Sequence, residues 1–212
     1  MNSMVTTLLV SALVVPVSVF LIIRFIVRAF FIVTPSMAPT LIVGDRVLVS
    51  LLHYRLRPPR YGDIVVFSRT FGPDSPSLKR TRGAQHRRAV VRHDQHGRYS
   101  IKRVVAIGGQ TVTIKPGSIF LGGMQLNEPY LQLDNDQAGE PSAFRSLYVR
   151  PGFVFVMGDD RARSKDSRQF GSVPVNCIVG RAVLVFWPLG RTRLLRSPAR
   201  PELIHEASKG PS

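Results

Sequence analysis

Three stretches of this chain carry residue types that could together perform hydrolysis. Thr34-Pro35-Ser36-Met37-Ala38-Pro39-Thr40-Leu41 offers a hydroxyl, Ser36, directly after a long apolar run. Ile101-Lys102-Arg103-Val104-Val105 offers an amine inside a stretch that otherwise reads as a β-strand. Gly158-Asp159-Asp160-Arg161-Ala162-Arg163-Ser164-Lys165-Asp166-Ser167-Arg168 is a dense polar loop entered from the apolar run Phe153–Met157. A serine becomes a nucleophile only beside a base. The histidines come first as candidates, but His53, His86, His93, His96 and His205 all lie in polar or basic surroundings.

Lys102 is the better candidate. Strand geometry points its side chain to the face opposite Ile101 and Arg103. A free lysine titrates near pH ~10.4 and is a poor base at neutral pH. Lowering it to about 7–8 takes roughly 4 kcal/mol of destabilisation of the ammonium. Burial among Val and Ile can supply that, with Arg103 as a nearby like charge. Taken singly, Ser36 and Lys102 read equally well as ordinary surface residues, and the polar loop as an exposed turn.

The elements that must position these groups begin with a membrane span. Met4 to Ile23 holds no charged residue. Twenty residues at about 1.5 Å each cover roughly the 30 Å hydrocarbon thickness of a bilayer. A cleaved signal peptide should open with Lys or Arg and carry a shorter run; this chain has neither basic residue before Arg24. An uncleaved anchor over 1–33 is expected. Arg24 and Arg28, four apart, fall on one helical face and can reach lipid phosphates. Basic residues normally mark the cytoplasmic flank, so charge alone would place the following domain in the cytoplasm.

After the anchor, short runs rich in Val, Ile and Phe predict strands over 46–51, 63–68, 99–107, 111–115, 118–121, 153–157 and 180–187. Gly, Pro and Asp punctuate them. The fold class expected is mainly β: one N-terminal transmembrane helix followed by a β-rich catalytic domain of small antiparallel sheets over 34–195. Residues 69–98 read as a basic insertion and 196–212 as a flexible tail. The net charge is +16, and Lys79–Arg98 concentrates Lys, Arg and His around one acid, Asp94. That balance suits an anionic partner, with lipid headgroups nearest to an anchored domain. No metal is expected: His86, His93 and His96 lack a supporting Cys or carboxylate cluster. Cys177 is the only cysteine, so no intramolecular disulfide can form, and its apolar neighbours predict a packed core position.

In combination, these stretches resemble the type I signal peptidases, membrane-bound serine/lysine proteases. Ser36-Met37-Ala38-Pro39-Thr40-Leu41 is similar to that family's Ser-Met-x-Pro-Thr-Leu box, and Lys102-Arg103-Val104-Val105 to its lysine box. Tyr61-Gly62-Asp63-Ile64-Val65-Val66-Phe67 resembles a family strand, and 158–168 the Gly-Asp-Asn-Arg-Asp-Asn-Ser-x-Asp-Ser-Arg signature. Asn127-Glu128-Pro129-Tyr130-Leu131 and the segment from Gly180 to Leu189 are also similar. The order of the boxes behind an apolar run carries the resemblance.

The resemblance implies removal of signal peptides after small-x-small motifs. It makes Ser36 the nucleophile, Lys102 the general base, and the Ser36 N–H with the Thr34 hydroxyl the oxyanion hole. It implies that Ser164 orients the Lys102 amine, that Asp166 and Arg168, with Arg103, form an ion-paired scaffold, and that Met37 packs against substrate. No cofactor is implied. Partners are exported preproteins and membrane lipids, with neither nucleic acid nor an oligomer expected. The N-terminus is placed in the cytoplasm and the catalytic domain outside, against the charge rule. Asp160, Ala162 and Arg163 depart from the signature, and Gly108-Gly109-Gln110 stands where Pro-Gly-Asp is frequent, so the loop's network must be rebuilt. Two rivals are a self-cleaving repressor-type protease, which would carry a DNA-binding helix pair in place of the lipid span, and a membrane-tethered, non-catalytic β-domain binding anionic lipid or nucleic acid.

Overall fold

A computed structural model describes residues 4, 10, 12–17, 26–69, 99–131, 145–198 and 201–204. The expected anchor falls largely outside these residues, as does nearly all of the basic insertion. Residues 12–17 are helical. No helix among the described residues is long and apolar enough to cross a membrane.

The domain is built from antiparallel strands in two sheets. In chain order they are β1 Val27–Phe31, β2 Arg46–Ser50, β3 Ile64–Ser68, β4 Tyr99–Ile107, β5 Thr111–Lys115, β6 Ser118–Leu121, β7 Met124–Leu126, β8 Arg145–Tyr148, β9 Phe153–Met157, β10 Val173–Pro174, β11 Ile178–Trp187, β12 Arg193–Leu194 and β13 Leu203–Ile204. The larger sheet runs β1-β2-β11-β3-β4-β9-β10, with β12 on β11; the smaller runs β13-β7-β6-β5-β8. Period-two side-chain alternation explains the layers. In β3, Ile64 and Val66 join one core cluster with Val47, Val49 and Leu41, while Val65 and Phe67 join another with Val104, Val154 and Val156. A third cluster, with Val105, Val112, Ile119 and Phe155, lies between the sheets. A register shift between Val104 and Ala106 bends β4 from one environment into the next.

Several boundaries differ from the sequence expectation. The sheet begins at Val27, inside the segment assigned to the anchor, and Arg28 pairs with Val49 as a strand residue and not on a helical face with Arg24. An apolar run continuous with the span concealed this edge strand. Part of the expected tail is also structured, since Leu203 pairs with Leu126. Cys177 is half-buried at the margin of the β3–β9 cluster, in a short 3₁₀ turn, and not a core position.

Gly180 sits where β11 is wedged between β2 and β3. A Cβ there would overlap the Ser50 carbonyl oxygen and crowd Val49. Gly180→Ala is therefore expected to lower stability by about 1–3 kcal/mol through overpacking. A thermal melt matching wild type would show that the strands have slack at this crossing.

Candidate active site

Ser36 lies in a 3₁₀ turn, Pro35–Met37, entered from extended Thr34. The turn follows β1 and is tied down by Ala38 N–H to the Pro35 carbonyl at 2.8 Å and Leu41 N–H to the Met37 carbonyl at 2.8 Å. Met37 is 0% exposed, packed with Leu41 in the core. This corrects the expectation that Met37 meets substrate: its side chain points inward and anchors the turn from below. Thr34 is exposed, and its Oγ1 lies 3.4 Å from Ser36 Oγ.

β4 delivers the amine. Lys102 stands opposite Val65 in the β3–β4 register, and its neighbours Ile101 and Arg103 stand opposite Val66 and Ile64. Its Nζ lies 2.6 Å from Ser36 Oγ and donates to the Ile101 carbonyl at 3.0 Å. The side chain is 5% exposed, and no carboxylate lies within ion-pair distance among the described residues. Burial pulls the amine down to about 8, Asp166 opposes this, Arg69 adds to it, and Asp159 opposes it more weakly. The like charge is thus Arg69 and not the expected Arg103. Adjacent strand residues face opposite ways, and the Arg103 charge is answered on its own face by Asp159.

The polar loop is held by ion pairs on both sides. Arg103 makes a two-pronged bond to Asp159, Nε to Oδ1 at 2.8 Å and a terminal nitrogen to Oδ2 at 2.6 Å. It also donates to the Gly62 carbonyl and Thr40 Oγ1, and its guanidinium lies 4.0 Å from the Tyr130 ring centroid. Arg103 therefore belongs to Asp159 and not to the Asp166–Arg168 pair in which it was expected. Asp166 binds Arg168 Nε at 2.9 Å and accepts the Gly158 N–H at 3.1 Å, while Arg168 reaches the Arg161 carbonyl at 2.6 Å. Arg161 pairs with Glu128 through both terminal nitrogens. The departures at 160 and 163 answer each other: Arg163 Nε donates to Asp160 Oδ2 at 2.7 Å.

The loop closes on the serine turn through backbone. Asp160 N–H donates to the Ser36 carbonyl at 3.2 Å. Gly158 makes the approach possible, since a Cβ there would overlap both the Ser36 carbonyl oxygen and Ser164 Oγ. Ser164 Oγ is buried beside this junction without a hydrogen-bond partner among the described residues. The expected Ser164–Lys102 hydrogen bond is not formed; the Lys102 amine meets Ser36 Oγ and the Ile101 carbonyl instead. Sequence reasoning missed the roles of Gly158, Asp159, Thr40 and Glu128. The Asn127–Leu131 box was the available signal for Glu128, but its partner lies far along the chain.

A cleft of about 840 Å³ opens over the pair. Phe30, Ile32 and Val33 of the β1 side and Tyr99 and Ile101 of β4 line it, with Phe30 and Tyr99 in edge-to-face contact at 5.9 Å. β9 pairs with β4 only from Arg103 onward, so one edge of Tyr99–Lys102 has no strand partner among the described residues.

The chain is similar to known proteins over most of its length. A family model described as signal peptidase, peptidase S26, matches residues 3–187. Signal peptidase I of Leptolyngbya laminosa is 35% identical over 82% of this chain and 75% of its own length. Signal peptidase I of Mycobacterium tuberculosis is 34% identical over 89% and 74%. A solved signal peptidase I from Enterococcus faecalis is 25% identical, with 59% of this chain and 97% of that one covered at a TM-score of 0.40. The chain belongs to the signal peptidase family, peptidase S26.

Proposed function

We propose that this protein is a membrane-tethered serine endopeptidase that removes signal peptides from exported preproteins with a Ser36/Lys102 dyad. The observation that carries the reading is the 2.6 Å contact between Lys102 Nζ and Ser36 Oγ, made by a buried amine with no ion-paired acid among the described residues. A neutral amine can accept the hydroxyl proton as Ser36 Oγ attacks the carbonyl carbon before the cut. The oxyanion meets the Ser36 N–H and Thr34 Oγ1. The tetrahedral intermediate then collapses, and the Lys102 ammonium gives its proton to the departing amine of the mature chain. Water activated by the same amine attacks the acyl carbon, frees the signal-peptide carboxylate and returns Ser36.

In an extended peptide the first and third residues before the cut face the same way. Docked along the open edge of β4, both would turn toward the apolar wall of the cleft, where small side chains fit beside Ile32 and Ile101. Main-chain hydrogen bonds to that edge would hold the register. The apolar run preceding β1 would keep the site at the membrane surface, with the N-terminus inside and the catalytic domain outside.

Three outcomes are expected. Ser36→Ala should lower preprotein cleavage in detergent micelles by about four orders of magnitude or more; wild-type processing by this variant would remove the serine mechanism. With the amine titrating at about 8, only about a tenth is neutral at pH 7, so the rate should climb roughly tenfold to a plateau above about pH 9. A profile flat from pH 6 to pH 9 would contradict a titrating lysine base. Lys102→Met should abolish cleavage yet stabilise the fold at neutral pH. The folded amine loses its proton near 8 and the unfolded one near ~10.4, so at pH 7 burying the ammonium costs on the order of 3 kcal/mol. Between those values the unfolded state binds more protons and wild-type stability rises, so the variant's advantage should fade toward pH ~10. Denaturant melts at both pH values check this, and a variant less stable than wild type at pH 7 counts against the buried ammonium.

A further inference from the structure

The cleft beside Ser36 carries a charge pattern that hydrolysis alone does not use. Besides Lys102, its lining includes Arg46, Arg69, Arg163 and Lys165, and no carboxylate among the described residues. Three separate segments bring these cations together: Arg46 opens β2, Arg69 follows β3, and Arg163 and Lys165 belong to the polar loop. Arg46 lies over the Trp187 ring at 5.8 Å. Arg163 is tied to Asp160, with 67% of its side chain still exposed. Arg69 and Lys165 have no ion-pair partner among the described residues. The acids behind the site, Asp159 and Asp166, are already held by Arg103 and Arg168. The charge of Arg69 is felt at Lys102, which puts it close to the reacting atoms.

Like charges gathered on the rim of an apolar groove focus an attractive field for an anion and repel a cation. The net charge of +16 adds to this at longer range. We infer that the cleft selects polypeptides carrying Asp or Glu within a few residues of the cut, so that acidic flanks around the small-x-small motif define the preferred substrates. The inference rests on Ser36 and Lys102 being the hydrolytic pair. Small side chains turn toward the apolar wall, and the alternate positions of an extended peptide turn toward the rim, where the cations stand. An anionic lipid headgroup offers the same charge, but lodged here it would occupy the space the scissile bond needs.

The test uses full-length protein in zwitterionic detergent micelles. Peptides sharing one small-x-small motif carry Asp, Asn or Lys at each flanking position in turn, and kcat and KM are measured in low and high salt. At the responsive position KM should rise about threefold to tenfold from Asp to Lys, with Asn between, and the difference should shrink in high salt. Lys165 is exposed, and Lys165→Glu should reduce the Asp-over-Lys ratio without unfolding the domain. Equal KM values for Asp and Lys at every position would overturn the inference and leave the hydrolytic reading standing. No cleavage of any peptide would overturn both. A charge preference seen only in vesicles containing anionic lipid, and absent from micelles, would assign the cations to the membrane and overturn it as well.

Discussion

A buried primary amine with no carboxylate at ion-pair distance among the described residues is the constraint around which this molecule is arranged. Other buried charges of the site are matched: Asp159 by Arg103, Asp160 by Arg163, Asp166 by Arg168. The same holds away from it, where Asp45 meets Arg191 and Asp63 meets Arg181. An unpaired charge in such a place is costly, so the amine gives up its proton more readily than a free lysine, at about pH 8. The pairing of its neighbours is what makes this workable. Asp166 and Asp159 favour the ammonium, and their pairing with Arg168 and Arg103 leaves burial as the larger influence on Lys102.

That arrangement explains the position of the ion pairs. They stand behind the serine turn and inside the polar loop, where they stiffen the approach of Gly158 and Asp160 to the Ser36 backbone. Breaking a buried pair by removing one partner leaves a stranded charge. The loop therefore holds its shape as a unit, and the exchange of residues at 160 and 163 stays within one pair. Ser164 is the exception, a buried hydroxyl without a partner among the described residues.

Much of the strand order was legible because runs rich in Val, Ile and Phe, bounded by Gly, Pro and Asp, mark strands on their own. Tyr99–Ile107, Thr111–Lys115, Ser118–Leu121 and Phe153–Met157 emerge with the expected ends. Strands defined by their partners did not. Val173–Pro174, Arg193–Leu194 and Leu203–Ile204 are too short to stand out, and Val27–Phe31 fell within the segment assigned to the anchor, where Arg28 was placed on a helical face. In the site, residue type and order picked out Ser36 and Lys102, which the fold brings together from 66 positions apart. Which arginine meets which aspartate, and which way Met37 points, depend on how distant elements approach, and a linear pattern holds no such information.

The stagger between β4 and β9 has one more consequence. Because β9 ends at Met157, opposite Arg103, the bare edge spans Tyr99–Lys102 and ends at the lysine, giving a ledge of roughly 13 Å at about 3.3 Å per residue. A guest chain seated there has room for only a handful of amino acids before it meets the neighbouring strand. On the proposed reading, in which substrate adds to this edge, the offset is a ruler: it limits how many residues of a guest chain can lie on the ledge beside the hydroxyl.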